Sequence, residues 1–384
     1  MVFANMLLVF MMSLQLGMYG LMVDNSLKLF TGHIQVQAPG FKDDQKMRQT
    51  VPDILPLAQS YREQLAQVQV AARGSTFALV SSEDRSFGIA IFGVESVFEP
   101  QVSSIPGLVD EGRYLSSNDA TEIVIGRVLA RNLRVGIGDE LTLLGSGLDG
   151  SFAASVVEVV GIFDSGVKDI DRNIAQIPIG LFQETFFMEG AGHQVVIVAD
   201  DRDMLPVLIP EVAGLLPPNS GLVVLDWDQL QPGLKQAITA DMASSFFMYF
   251  ILVILVSFSV LNTQLMSVLE RTREFGIVMA LGLRPGKLGR LVLLETAMMG
   301  SMGLLLGALA GGLLTAWFSG NGIVFPGMDE MAAQFNLPAR MYPKVSLLTL
   351  FGGPAIVFAF TLLAAVYPAV RLNWQNPVDS MRVA

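Results

Sequence analysis

The sequence predicts an α-helical membrane protein with four transmembrane helices plus a large extracytoplasmic α+β domain inserted between helices 1 and 2. Three observations predict it. Of 384 residues, 52% are hydrophobic and only 15% are charged, whereas a soluble surface draws on about 25% charged residues. Four apolar runs are nearly free of charge and reach the roughly 20 residues needed to cross about 30 Å of hydrocarbon. The formal net charge of −11 is also uneven, because Asp24 to Asp241 holds 15 basic and 29 acidic residues while the rest carries a small basic excess.

Residues 1–23 form the first expected span, rich in Met and Leu and without charge. The run lacks the basic leader and small-x-small site of a cleaved signal peptide, so it reads as a retained helix. No Lys or Arg precedes it, which predicts a natural N-terminus upstream of Met1. Residues 24–241 then change to short alternating segments broken by Gly, Pro, Asn and Asp. HIQVQ, VQVAARGSTFALV, FGIAIFGV, EIVIG, DELTLLG, SVVEVVGIF, QVVIVA and GLVVL read as strands. Helices are expected near Leu55–Gln67, Gly126–Asn132, Leu205–Leu215 and Asp228–Asp241. The last reads as continuous with the second span, and the first span as running into Asn25–Phe30.

The second span is placed at 242–269, a loop at 270–287, the third span at 288–318, a short outer loop at 319–346, the fourth span at 347–370 and a tail at 371–384. Arg271, Arg273, Arg284, Lys287 and Arg290 in the loop, with Arg371 and Arg382 in the tail, put these segments in the cytosol by the positive-inside rule. Arg340 and Lys344 in the outer loop are balanced by Asp329 and Glu330. The acidic block therefore lies outside. In the third span Gly303, Gly307 and Gly311, with Gly300 and Gly312 nearby, form a small-residue stripe suited to close helix packing, either within the chain or between subunits. Pro354 is expected to remove a hydrogen bond from the fourth span and kink it.

The search for chemistry excludes most classes. Without cysteine there is no disulfide, thiolate nucleophile or Cys-based zinc site. His33 and His193 lack metal-spaced partners and read as structural or surface residues. Asp164, Asp169 and Asp171 lack the Gly and Glu spacing of a calcium loop and read as solvated acidic surface. There is no G-x-S-x-G, and GLRPGKL around Gly286 keeps only the G-K pair of a phosphate loop. The acidic balance argues against nucleic acid. The expectation is a non-enzyme with no catalytic residue, no metal and no directly bound cofactor, so any ATP is bound by a second polypeptide.

The most informative stretch is ERTREFGIVMALG, Glu270 to Gly282. Charges open it, Ile277, Met279, Ala280 and Leu281 form an apolar patch, and Gly282 and Pro285 stop the helix. A short cytosolic helix follows, suited either to dock a partner by ion pairs and an apolar patch or to lie on lipid headgroups.

The run E-R-x-R-E-F-G-x-x-x-A-L-G resembles the signature of ABC-transporter permeases of the FtsX/MacB/LolC–LolE superfamily. Tyr367-Pro368-Ala369-Val370-Arg371, then Asn376-Pro377-Val378 and Ser380-Met381-Arg382, resembles that family's ending, and Glu122 to Leu143 is similar to its external-domain segment. GHIQVQAPGF after the first span looks most like the lipoprotein-releasing (LolC/LolE) subgroup. Two departures stand out: the basic amphipathic helix before the first span is absent, and Met381 replaces a leucine.

The resemblance implies a MacB-like periplasmic core domain on a permease subunit of the bacterial inner membrane, with the large domain in the periplasm. It implies pairing with a second permease copy or paralogue and with two cytosolic ABC ATPase subunits. ATP closure of these would drive the external domain by mechanotransmission. Glu270, Arg271, Arg273, Glu274, Phe275, Gly276, Ala280, Leu281 and Gly282 would form the coupling helix. Lipoprotein or lipid cargo would enter from the outer leaflet through a lateral gate between span one and span two of opposing subunits, with Met6, Phe10 and Met11, and Leu7 and Leu14, on one side and Phe246, Phe247 and Phe250, with Ile254, on the other. Membrane lipids and a periplasmic carrier complete the implied partners. The alternatives are a MacB-type efflux permease for peptides or small molecules and an FtsX-type regulator of a cell-wall hydrolase.

Overall fold

The computed structural model describes residues 1–218, 220–324 and 340–372. The tail residues Asn376 to Met381, Arg382, and the loop residues Asp329 and Glu330 lie outside the described residues. The chain falls into two compact units, a strand-rich one over Met22–Lys235 and a helical one formed by Met1–Leu21 and the helices after Gln236.

Helix α1, Val2–Ser26, widens into a π-type turn at Leu27–Thr31 and ends at Gly32, whose φ of 75° lies in the left-handed region. There follow β1 (Ile34–Gln37), α2 (Phe41–Asp44), α3 (Ile54–Gln64), β2 (Val68–Ser81), β3 (Ser86–Val94), α4 (Glu99–Val102), β4 (Val109–Gly112), β5 (Glu122–Gly126) and α5 (Arg127–Leu133). The unit continues with β6 (Glu140–Ser146), β7 (Phe152–Phe163), α6 (Lys168–Asn173), β8 (Ile174–Pro178), α7 (Ile179–Thr185), β9 (Gln194–Ala199), α8 (Leu205–Gly214), β10 (Val223–Asp226) and α9 (Trp227–Leu230).

Pairing makes a small barrel with a wing. β2–β3–β8–β5–β7–β6 close on themselves because β6 pairs both β7 and the C-terminal end of β2. The N-terminal half of β2 instead pairs β9, which continues through β1 to β10. The 14-residue β2 thus belongs to both parts. Inward residues such as Val80, Ile91, Ile125, Leu143, Val157, Ile177 and Phe182 fill the barrel. Ile34, Val36, Val70, Val195 and Ile197 form a second core under α3 and α8. Closure leaves these six strands no free edge along their paired lengths.

Most buried charge inside this unit is paired, although both polar atoms of the Gln37 amide and His33 Nε2 are buried without a hydrogen-bond partner. Arg73 and Glu99 are fully buried and joined in a fork, Nε to Oε2 at 3.0 Å and Nη2 to Oε1 at 2.7 Å. Arg73 also donates to the Phe30 carbonyl and lies over the Phe30 ring. Two more carbonyls of the turn that ends α1 are received here: Ser104 N–H donates to Lys28 O and Ser103 Oγ to Leu29 O, both at 2.9 Å. Helix-end carbonyls ordinarily lack partners.

His193 is buried against Phe41, with the rings stacked at 4.8 Å. Its Nδ1 accepts the Ser75 amide at 3.0 Å. Burial pushes its pKa down from 6.5 to about 4. The unfolded chain therefore binds the extra proton first, so His193 supports folding above pH 6.5 and loses that support as pH falls toward 4. Glu122, held by Arg113 and despite partial burial, sits down at about 2 and adds a further loss between its ordinary 4.5 and that value. Unfolding midpoints measured across pH 7 to 4 should fall, and His193→Gln should flatten the upper part of that fall.

In the helical unit, α10 spans Pro232–Glu270, α11 Thr272–Ala280, α12 Pro285–Asn321 and α13 Gly353–Arg371, the last preceded by a π-type turn at Leu348–Gly352. With α1, four helical segments are long and apolar enough to cross a membrane.

Several expectations need correction. The helix beginning near Asp228 does not run on: α9 stops at Leu230 and Gln231 (φ −124°, ψ 65°) leaves the helical region ahead of Pro232, and a proline disfavours helix in the residue before it. Pro354, by contrast, lies inside the continuous helical stretch Leu348–Arg371, directly after the π-type turn Leu348–Gly352, an irregularity at the place expected. Pro368 is a second proline inside that helix. Asp171 is not solvated: it is buried and accepts the Ser165 amide and hydroxyl, and burial raises its pKa. β4 and β8 went unread because VDEG and IAQIP are short and carry polar residues.

Candidate functional site

Two regions of the helical unit hold the residues singled out by sequence. The first is α11. Glu270 ends α10, and Arg271 (φ −95°, ψ 8°) breaks the helix and sits at the hub of a clamp. Its Nε lies 3.4 Å from Glu274, its Nη1 3.3 Å from Glu295 on α12, and its guanidinium 5.2 Å from the Phe275 ring. Thr272, Phe275, Gly276 and Met279 recur at helical spacing and are buried; Phe275 and Met279 pack with Val268, Leu288, Val292 and Leu372.

The outer face therefore carries Arg273, Glu274, Ile277 and Ala280, with Leu281 just past the end; Ile277 is 48% exposed and Leu281 83%. The helix stops in a double hydrogen bond from Gly282 N–H to Met279 O (3.0 Å) and Leu283 N–H to Val278 O (3.3 Å). Gly282 has φ 98°, which a side chain would strain, so the glycine is required there. The apolar patch read from sequence is thus split: Met279 turns inward, whereas Ile277, Ala280 and Leu281 present an unpaired apolar surface beside Glu274 and Arg273. Phe275 and Gly276 face the protein's own core.

The second region is a crevice walled by α1, α10 and α13. Leu8, Met12, Phe246, Phe250, Val253 and Ile356 line a space of about 150 Å³. A second space of about 110 Å³ continues from it past Met12, Phe246 and Tyr249 to Leu16 and Tyr19. Of the α10 residues singled out by sequence, Phe246 and Phe250 line this space, and Phe250 meets Phe360 at 6.3 Å. Phe247 points outward, 67% exposed. On α1 the facing residues are Leu8, Met12 and Leu16. Phe10 instead packs on Phe318 of α12 at 5.7 Å, the Met6 backbone lies against the α12 glycines, and Met11 is exposed.

Beside this crevice lies a group that sequence reading missed. Gln15 and Tyr19 on α1 meet Asp241, Ser245 and Tyr249 on α10. The available signal was the four-residue spacing of polar residues on two otherwise apolar faces.

The glycine stripe of α12 lies against α1. A Cβ on Gly311 would come 2.8 Å from Val9 Cβ, one on Gly303 3.0 Å from Met1 Cβ, and one on Gly307 would collide with Asn5 Cβ. Asn5 Nδ2 donates to Gly303 O at 3.1 Å. Gly307→Leu should cost about 1–3 kcal/mol through overpacking. A lowered unfolding midpoint of the detergent-solubilised chain checks this, and an unchanged midpoint would show that the stripe does not limit packing.

Four helices long and apolar enough to cross a membrane among the described residues, a short amphipathic helix between the second and third, and a barrel-and-wing strand unit together define a membrane protein with a large strand-rich unit. Comparison with known families agrees. Residues 1–215 match the MacB-like periplasmic core domain and residues 246–377 the FtsX-like permease C-terminal domain. The chain belongs to the MacB-like periplasmic core family and is an ABC-transporter permease of the FtsX/MacB/LolC superfamily. It is 24% identical over 276 residues to the lipoprotein-releasing system transmembrane protein LolC of Xylella fastidiosa strain Temecula1, covering 68% of this chain and 64% of that one. It is 23% identical to the LolC of Neisseria meningitidis serogroup B over 68% of this chain and 65% of that one. It is 26% identical to the uncharacterised ABC transporter permease YvrN of Bacillus subtilis over 77% and 73%. The chain thus spans just under two thirds of the LolC proteins it matches.

Proposed function

We propose that this chain is the permease subunit of an ABC transporter of the bacterial inner membrane, coupling ATP hydrolysis by separate ATPase subunits to motion of the strand-rich unit on the periplasmic side. The cargo is a lipoprotein or lipid drawn from the outer leaflet, and a second permease subunit, identical or paralogous, completes the membrane part. One observation carries the reading. α11 is fixed from behind by Arg271, Phe275 and Met279 while Ile277, Ala280 and Leu281 face outward without a partner among the described residues. Such an apolar face beside charged Arg273 and Glu274 suits insertion into a groove of another protein. Gly282 and the clamp keep it from deforming under load. The similarity to the LolC proteins supports the choice of cargo.

The reading makes a topological demand that is directly testable. Because the chain has no cysteine, single Leu281→Cys and Phe152→Cys variants report sidedness cleanly. A membrane-impermeant maleimide applied to intact spheroplasts should label Phe152→Cys and leave Leu281→Cys untouched until the membrane is permeabilised. The reverse pattern would overturn the proposal. Affinity purification of the tagged chain from its native membranes should also retain an ATP-hydrolysing subunit.

A further inference from the structure

Gln15 and Tyr19 stand one turn apart on α1, and Asp241, Ser245 and Tyr249 stand at successive turns of α10. Side chains at this spacing share a helix face. The two rows interlock. The Tyr249 hydroxyl donates to Gln15 Oε1 at 2.8 Å, and Gln15 Nε2 donates to the Tyr19 hydroxyl at 2.6 Å and to Ser245 Oγ. The same nitrogen lies 3.4 Å from Asp241, to which the Tyr19 hydroxyl donates. Gln15 alone touches the other four.

The walls of the neighbouring crevice are not equally held. α1 is pinned to α12 by backbone contacts at Gly307 and Gly311, and to α13 at Gly353, where a Cβ would strike Leu8. α10 has no such contacts among the described residues, and only 17% of its most apolar stretch is buried against 33% for α1. α10 meets the other walls through side chains instead, Val253 packing with Leu8 and Val357 and Phe250 with Phe360.

We propose that Gln15 is a positioning residue, the bolt of a polar latch that holds α10 against α1 and keeps Val253, buried at the floor of the crevice behind the part-exposed Phe246 and Phe250, covered. The bonds of Gln15 to Ser245 and Tyr249 lie within the apolar run, where few waters stand ready to replace them, whereas Asp241 stands at its edge. Opening the crevice requires breaking the bonds that Gln15 makes to Ser245, Tyr249 and Asp241. That cargo enters there rests on the function proposed above; the latch itself does not.

The absence of cysteine again supplies the experiment. Val253→Cys reports from inside the crevice and Phe247→Cys from the outer face of the same helix. The full chain is reconstituted in phosphatidylethanolamine–phosphatidylglycerol vesicles and labelled with membrane-permeant pyrene maleimide, without ATPase or cargo. Gln15→Leu, which keeps the volume and loses the amide, should speed labelling of Val253→Cys by about tenfold, the factor carried by one or two lost intramembrane hydrogen bonds. Labelling of Phe247→Cys should not change. Tyr249→Phe, which removes one bond, should give an intermediate rate. Equal Val253→Cys rates with and without the Gln15→Leu change would overturn the latch, as would equal acceleration of both reporters, which marks general loosening. Failure of the chain to transport lipoprotein would leave these rates unaffected, so the two readings fail separately.

Discussion

Replacing Glu99 by alanine should destabilise the strand-rich unit by about 3–5 kcal/mol, the cost of leaving a buried charge without its partner. Arg73 has no exposure to solvent, and its fork onto Glu99 is completed by the Phe30 carbonyl and the Phe30 ring. Gln176, 3.4 Å from Glu99, cannot neutralise a guanidinium, since its amide carries no charge. A domain is stable by only about 5–15 kcal/mol, so the loss is a large share of the total. The double variant Arg73→Met with Glu99→Leu should recover most of it, because removing both charges removes the desolvation penalty with them. Denaturant midpoints of the wild-type chain, both single variants and the double variant form the cycle that decides. Additive losses in the double variant would mean that the pair is not the unit of stability. The site matters beyond stability because Arg73, Ser103 and Ser104 together receive the last carbonyls of the turn after α1.

Much of this architecture was legible because its physical causes are local. Alternation of apolar and polar residues is enough to mark EIVIG or QVVIVA, and uncharged length is enough to mark the four spans. Closure of the barrel was not legible, since the pairing of Leu79 with Leu144 joins residues far apart in sequence and leaves no pattern in either strand. β8 was hidden for a related reason: its Gln176 faces the buried Glu99 and Tyr114 rather than water, so a polar letter stands at a buried position.

The candidate site shows the same division. Composition marked Glu270–Gly282 as a helix with an apolar patch, but only the three-dimensional phase of α11 tells which residues point out. Met279 and Ile277 are two residues apart, which on a helix means nearly opposite faces. Along α1, Leu8 and Met12 carry the face toward α10 of the same chain, a phase that residue type alone does not give. Gln15, Tyr19, Asp241, Ser245 and Tyr249 were passed over one at a time as isolated polar residues in or beside apolar runs. Polar side chains inside a span are costly and ordinarily find one another, so their common spacing was the signal.

Leu281→Asp should release the ATPase subunit while leaving the chain folded, and Phe275→Ala should do the opposite. Leu281 is 83% exposed and follows the last helical residue, so it contributes almost nothing to the chain's own packing. A surface change of this kind alters stability by about 0.5 kcal/mol or less. If the residue instead fills a partner's groove, a buried carboxylate there costs what an interface anchor is worth, about 2 kcal/mol or more, and the retained ATPase falls by at least about tenfold. Phe275 is buried with Val268, Met279, Leu288 and Val292 and supports the Arg271 clamp, so truncation to alanine should cost about 3–5 kcal/mol of stability. The two variants, six residues apart, therefore separate docking from folding. The measurements are the amount of ATPase recovered with the tagged chain and the chain's own unfolding midpoint. Should Leu281→Asp keep its ATPase in full, α11 is not the docking surface and the observation that carries the proposed function fails.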